Sequence, residues 1–177
     1  MEKKEKAEQL FDSHFNCSQS VLSAYADELN ISMDQCLKIS CAFGAGMGRQ
    51  QLICGAVAGA LMVIGLKYGK GINDPEEYKK LTYKKTEDFI DKFKRVNKTI
   101  YCKELLDNLN MSNPEEYKKI IEQNMFKLRC RKYVGDAIDI LSDILWSNKN
   151  YKMKYAGFIE NKNQNNKIAN IVVQSYI

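Results

Sequence analysis

Leu52-Ile53-Cys54-Gly55-Ala56-Val57-Ala58-Gly59-Ala60-Leu61-Met62-Val63-Ile64-Gly65-Leu66 is the longest apolar run of the chain, and its reading decides the fold. It falls short of the ~20 residues needed to cross about 30 Å of hydrocarbon, so it reads as a buried core helix and not as a membrane span. Gly55, Ala56, Gly59 and Ala60 place small residues four apart along that helix. Such a narrow face lets another backbone approach closely, either a helix of the same core or a second subunit. Cys54 stands where this face begins.

Helical signals continue on both sides. Asp74-Pro75-Glu76-Glu77 and Asn113-Pro114-Glu115-Glu116 each combine a capping side chain, a proline for the first helical position and acids for the first turn. Both stretches open helices. The octamers NDPEEYKK and SNPEEYKK share only this start chemistry, because their flanks differ, and no repeat architecture follows. Apolar residues at steps of three and four predict further helices over 4–12, 17–29, 33–42, 49–68, 102–109 and 131–146. The expected fold is all-α, a compact multi-helix bundle around a central helix rich in small residues. One domain is expected over residues 1–147, followed by an Asn/Lys-rich tail over 148–177 in which Ile168 to Val173 suggests a small ordered element.

At 177 residues and 45% apolar composition, the chain is long enough for one sizeable core. Its start, MEKKEKAEQ, lacks the basic-then-apolar pattern of a signal segment, so a cytoplasmic location is expected. The formal charge of +5 and pI near 8.8 raise the question of nucleic acid. Lys79, Lys80, Lys84 and Lys85 alternate with Glu76, Glu77, Glu87 and Asp88 as on a solvated helix face, and no nucleic-acid module is legible. No nucleic-acid partner is expected.

The chemistry rests on cysteine. Six occur, and Cys17, Cys54, Cys102 and Cys130 are so dispersed that only the fold can bring them together. In a reducing compartment, scattered cysteines serve as metal ligands, redox thiols or core residues. Thiolates suit iron–sulfur clusters, zinc and copper(I), yet the close CxxC pair of ordinary zinc and ferredoxin frameworks is missing. Cys36 and Cys41, beside Leu37 and Ile39, read as packing residues, with Cys41 the better placed to approach a site because glycines follow it. Gly44, Gly46 and Gly48 lack the third spacing and preceding strand of a dinucleotide fingerprint and the Lys-Ser/Thr of a P-loop. They suit either a tight interhelical turn or a close backbone approach to an anion or cluster. His14 is the single histidine, read as a surface residue near a helix start. No hydrolytic constellation accompanies it.

The blocks FNCSQSVL (15–22), FGAGMG (43–48), CGAVAGALMVIGLKYG (54–69), YCKELL (101–106) and the region of Cys130 with Tyr133-Val134 occur in one order. In this the chain resembles the C-GCAxxG-C-C family, small helical proteins regarded as redox-active and named for four cysteines and a CGAxxG segment. A more distant similarity reaches the cysteine-bearing domain of split-Soret cytochromes. The resemblance implies Cys17, Cys54, Cys102 and Cys130 as metal ligands. It also brings Gly44, Gly46, Gly48 and Gly55 forward as candidate cofactor-binding positions, with Ala45 a departure from the family's FGGGMG. The implied function is an iron–sulfur cluster protein for electron transfer or redox sensing that serves an unidentified redox partner protein, with a homodimer suggested by the split-Soret analogy. Two alternatives stand beside it: a thiol–disulfide oxidoreductase pairing, for example, Cys17 with Cys54 or Cys102 with Cys130, and a helical interaction module whose cysteines pack or hold zinc. No enzymatic reaction is assigned.

Overall fold

The structure is a computed structural model and describes residues 2–146. The expected tail 148–177, with its apolar stretch Ile168 to Val173, lies outside the described residues. The fold is all-α, with helices α1 (Lys3–Asp12), α2 (Cys17–Ala24), α3 (Ala26–Leu29), α4 (Met33–Ser40), the single turn α5 (Gly44–Met47), α6 (Gly55–Tyr68), α7 (Glu76–Asn97), α8 (Cys102–Leu105), α9 (Pro114–Glu122) and α10 (Arg131–Trp146). Among the described residues no strand forms. A lone antiparallel bridge joins Ile53 to Tyr101.

Local chemistry sets the boundaries. Asn16 and Gln19 form a capping box at the head of α2, where Asn16 Oδ1 accepts from the Ser18 and Gln19 amides and Gln19 Oε1 accepts from Asn16 N–H. Ser32 and Gln35 do the same for α4. Asn113 caps α9 ahead of Pro114, as its sequence foretold. Asp74 takes a different course: its carboxylate accepts from the Gly71 amide, and Pro75 stands just outside α7.

Four expected helices differ from what forms, and the one expected over 102–109 ends at Leu105. The helix expected over 17–29 breaks at Tyr25, where ψ of 4° leaves the helical range. The helix expected from residue 49 starts only at Gly55, because 49–54 form a non-helical strap, with Arg49 and Gln51 at positive φ, whose 51–54 end is held to residues 100–103. The helix expected over 33–42 closes at Ser40 and passes into a tight turn over Cys41–Phe43.

Helix α6 is the core element. Its Ala56, Val57, Ala60, Val63 and Ile64 are fully buried, and it packs against α2 on one side and α7 on another. The small-residue face is taken by α2 of the same chain. A Cβ on Gly59 would lie 2.7 Å from the Ser18 carbonyl oxygen, and one on Gly55 would lie 3.1 Å from Cys17 Cβ. On α7, Phe89 and Phe93 stack within the core and Phe93 meets the Tyr133 ring of α10. Lys85 departs from the solvated face expected for it. It is 4% exposed, donates to the Ile144 carbonyl at 2.9 Å and lies over the Tyr68 ring, while Lys79, Lys80 and Lys84 are exposed.

Two glycine substitutions on α6 separate close approach from helix propensity. Gly59→Ala is expected to destabilise by about 1–3 kcal/mol, the usual cost of overpacking. Gly65→Ala, whose Cβ meets nothing within 4 Å, is expected to gain roughly 0.5–1 kcal/mol. Denaturant unfolding of both variants measures the contrast.

Candidate functional site

The four dispersed cysteines come together because each sits at a helix boundary. Cys17 is the first residue of α2, Cys54 the residue before α6, and Cys102 the first residue of α8. Cys130 ends the π-helical turn Phe126–Cys130 that leads into α10. All four are buried and line one cavity of about 190 Å³. Phe11, Leu105, Leu106, Met111 and Phe126 supply its apolar wall.

Backbone hydrogen bonds hold the thiols in register. Cys54 N–H donates to the Ile100 carbonyl at 2.8 Å, and Cys102 N–H donates to the Leu52 carbonyl at 2.7 Å. These bonds pair the 49–54 strap with the segment before α8. Gln51 locks the same strap from below: its amide nitrogen donates to Leu109 O at 2.7 Å and its side-chain oxygen accepts from Met111 N–H at 2.8 Å. The π-helical turn is tied across by Arg129, whose guanidinium forms a two-pronged pair with the Asp107 carboxylate at 2.5 and 2.6 Å, and by Tyr133 OH donating to Leu105 O.

The thiols also act on one another. The adjacent Cys130 thiol, followed by burial, holds the Cys17 thiol well above its usual value. Burial and then the Cys17 neighbour push Cys54 up to about 12, offset in part by the Ala56 and Val57 amides at the head of α6. Burial, Cys54 and Cys17 push Cys102 up to about 12. The α2 and α6 N-termini favour a thiolate, yet desolvation outweighs them, so Cys17, Cys54 and Cys102 are neutral thiols at neutral pH. Cys17 lies within reach of Cys130, and its thiol also acts on Cys54 and Cys102. All six cysteines are free.

The candidate glycines serve chiefly to let segments meet. Gly55 lines the cavity beside Cys17. A Cβ on Gly44 would fall 2.4 Å from Asn16 Cγ, and one on Gly46 would fall 2.7 Å from Cys102 Cβ. A Cβ on Gly48 would make only an ordinary contact, 3.8 Å from the Ala42 carbonyl oxygen, so Gly48 owes its place to φ of +63°. From Ala45 to Arg49 every residue has positive φ, a left-handed turn closed by Gly48 N–H to Gly44 O at 2.9 Å. Non-glycine residues in that region cost roughly 1–2 kcal/mol each. Ala45, at φ 51°, ψ 36°, is one of them, and it lines the cavity.

Cys36 packs in the core as expected, whereas Cys41 is exposed and stands apart from the cavity. Its carbonyl instead accepts from Asn16 Nδ2. His14 is exposed in a left-handed turn. Sequence reasoning missed Gln51, Arg129 and Tyr133, because their partners are backbone groups and a carboxylate remote in sequence. Among the described residues, no group of three or more His, Cys, Asp or Glu side chains is gathered tightly enough to hold a single metal ion. The thiols stand round a cavity instead of round a point.

Residues 15–144 match the family model described as "Putative redox-active protein (C_GCAxxG_C_C)". The chain belongs to this family. A relative, described as an uncharacterized protein of Archaeoglobus fulgidus, is 30% identical over 133 residues, covering 69% of this chain and 88% of that protein. No solved structure matches the chain significantly. No helix among the described residues of this C_GCAxxG_C_C protein is long and apolar enough to cross a membrane.

Two measurements probe the site. Ala45→Gly relieves left-handed strain at the cost of a freer unfolded chain and is expected to be neutral or to stabilise by up to about 1 kcal/mol, whereas Ala45→Val destabilises. Denaturant unfolding reads both. Cys54 and Cys102 have folded values raised above the unfolded one, so the unfolded chain sheds its protons first. The metal-free protein is expected to keep its stability below pH about 9 and to lose it progressively as pH rises toward about 12. Thermal melts across that range check the sign.

Proposed function

We propose that this protein is a redox protein in which Cys17, Cys54, Cys102 and Cys130 hold an iron–sulfur cluster for electron transfer or redox sensing. The observation that carries this reading is the convergence of four thiols, drawn from four remote segments, on one apolar cavity of about 190 Å³. A ring of soft sulfur donors around a dry space fits a multi-atom cluster better than a lone zinc ion, which needs its donors around a point. When bound, such a cluster supplies one-electron oxidation and reduction.

The chain's own residues have separable tasks. The four thiols must give up protons to ligate, so loading releases protons and favours higher pH. Phe11, Met111 and Phe126 keep water from the sulfurs and thereby bias the potential. Gln51 and the Arg129–Asp107 pair hold the ligand-bearing segments in position.

The contact between Cys17 and Cys130 favours a second reading, a reversible disulfide. Two thiols would then lose two protons and pass two electrons to an acceptor disulfide as one S–S bond forms. Neutral thiols are poor nucleophiles, which weighs against rapid exchange.

Anaerobic reconstitution with ferrous iron and sulfide, followed by iron and acid-labile sulfide assay and a visible spectrum, separates the readings. Bound iron with sulfide and charge-transfer bands are expected. Serine at Cys17, Cys54, Cys102 or Cys130 is expected to lower cluster content about tenfold or more, and serine at Cys36 or Cys41 to leave it unchanged. A protein that stays colourless while forming a Cys17–Cys130 disulfide on mild oxidation would establish the second reading instead.

A further inference from the structure

The backbone that carries Cys54 and Cys102 has an outer side. Leu52 and Tyr101, their neighbours in the bridged pair of segments, are 52% and 48% exposed, while Cys54 and Cys102 are 4% and 6% exposed. One peptide layer separates an outward apolar spot from the thiols within.

The two segments that form this spot carry charge of one sign. Residues 49–54 and 94–103 contain Arg49, Lys94, Arg95, Lys98 and Lys103 and no carboxylate; Glu104 is the first acid at the border. All five cations are exposed. Among the described residues none of the five is ion-paired, whereas Lys38, Lys79 and Lys84, exposed on other helices, sit on carboxylates. Arg49 lies over the Tyr117 ring, which fixes it in place. Cations left unpaired around an apolar centre suit an acidic partner, whose charge steers encounter and whose apolar contact seals it.

We propose that this face docks an acidic one-electron carrier protein, with Leu52 and Tyr101 at the centre of contact and Arg49, Lys98 and Lys103 as the steering ring. The inference rests on the cluster reading above. A single electron passes between the carrier's centre and the thiol-held centre across the strap, and no bond is made or broken. An electron carrier fits better than nucleic acid, because the apolar centre lies directly outside Cys54 and Cys102.

The test titrates the full reconstituted chain into a labelled acidic plant-type [2Fe–2S] ferredoxin and reads fluorescence anisotropy at low and physiological salt. The wild type is expected to bind, more weakly as salt rises. Lys98→Glu with Lys103→Glu is expected to weaken binding at least tenfold, and Leu52→Ser about fivefold with the salt dependence retained. Lys79→Glu with Lys80→Glu makes the same charge change on α7 and is expected to alter binding less than twofold. Circular dichroism confirms that each variant is folded.

The visible spectrum of each sample reports the cluster independently. A colourless wild type that still binds, and loses binding on charge reversal at Lys98 and Lys103, supports the face while refuting the cluster. Absence of ferredoxin binding by the wild type, equal loss from both charge reversals, or salt-dependent binding of a single-stranded oligonucleotide in place of the ferredoxin overturns the proposal.

Discussion

The close approach of α6 to α2 is the constraint on which the rest of the structure depends. Gly59 lets the α2 backbone at Ser18 come within reach, and Gly55 lets Cys17 Cβ stand against the head of α6. Any side chain at these two positions would push apart the helix ends that carry Cys17 and Cys54. Their separation along the chain then ceases to matter, since both thiols begin helices that lie backbone to backbone. Ala56, Val57, Ala60, Val63 and Ile64 fill the core around this seam and are fully buried.

The other two thiols arrive by different means. Cys102 is brought in by hydrogen bonds to the strap, which continues directly from a left-handed turn. Six residues between Ala45 and Gln51 have positive φ, four of them not glycine. Such strain persists where the surroundings over-determine it, and here Gln51 and Cys102 N–H supply that grip. Cys130 enters through a π-helical turn, a form often found where a helix must re-aim a side chain at a site. Thus two thiols are placed by packing and two by backbone irregularity.

Burial gives the site its electrostatic character. Helix N-termini at Cys17 and Cys54 pull toward the thiolate, but the Cys130 thiol and burial at Cys17, and burial at Cys54, outweigh that pull. Without a compensating positive charge, Cys54 and Cys102 stay protonated in this apolar cavity.

The sequence by itself determined the all-α class, the apolar core helix that ends at Tyr68, the cap of α9, and the family through its ordered cysteine and glycine blocks. These are local: periodicity, capping chemistry and small-residue spacing act within a turn or two of the chain. It misplaced the start of α6, because the left-handed turn and the strap at 49–54 exist only through partners at 100–103 and 109–111. It put Lys85 in solvent, where a helical charge pattern belongs, although the Ile144 carbonyl draws it into the core. It could nominate four cysteines and left their neighbours open. That Cys17 touches Cys130, that Cys41 stays outside, and that the thiols surround a space instead of a point were decided by tertiary structure alone, since each depends on distances between segments that no local spacing encodes.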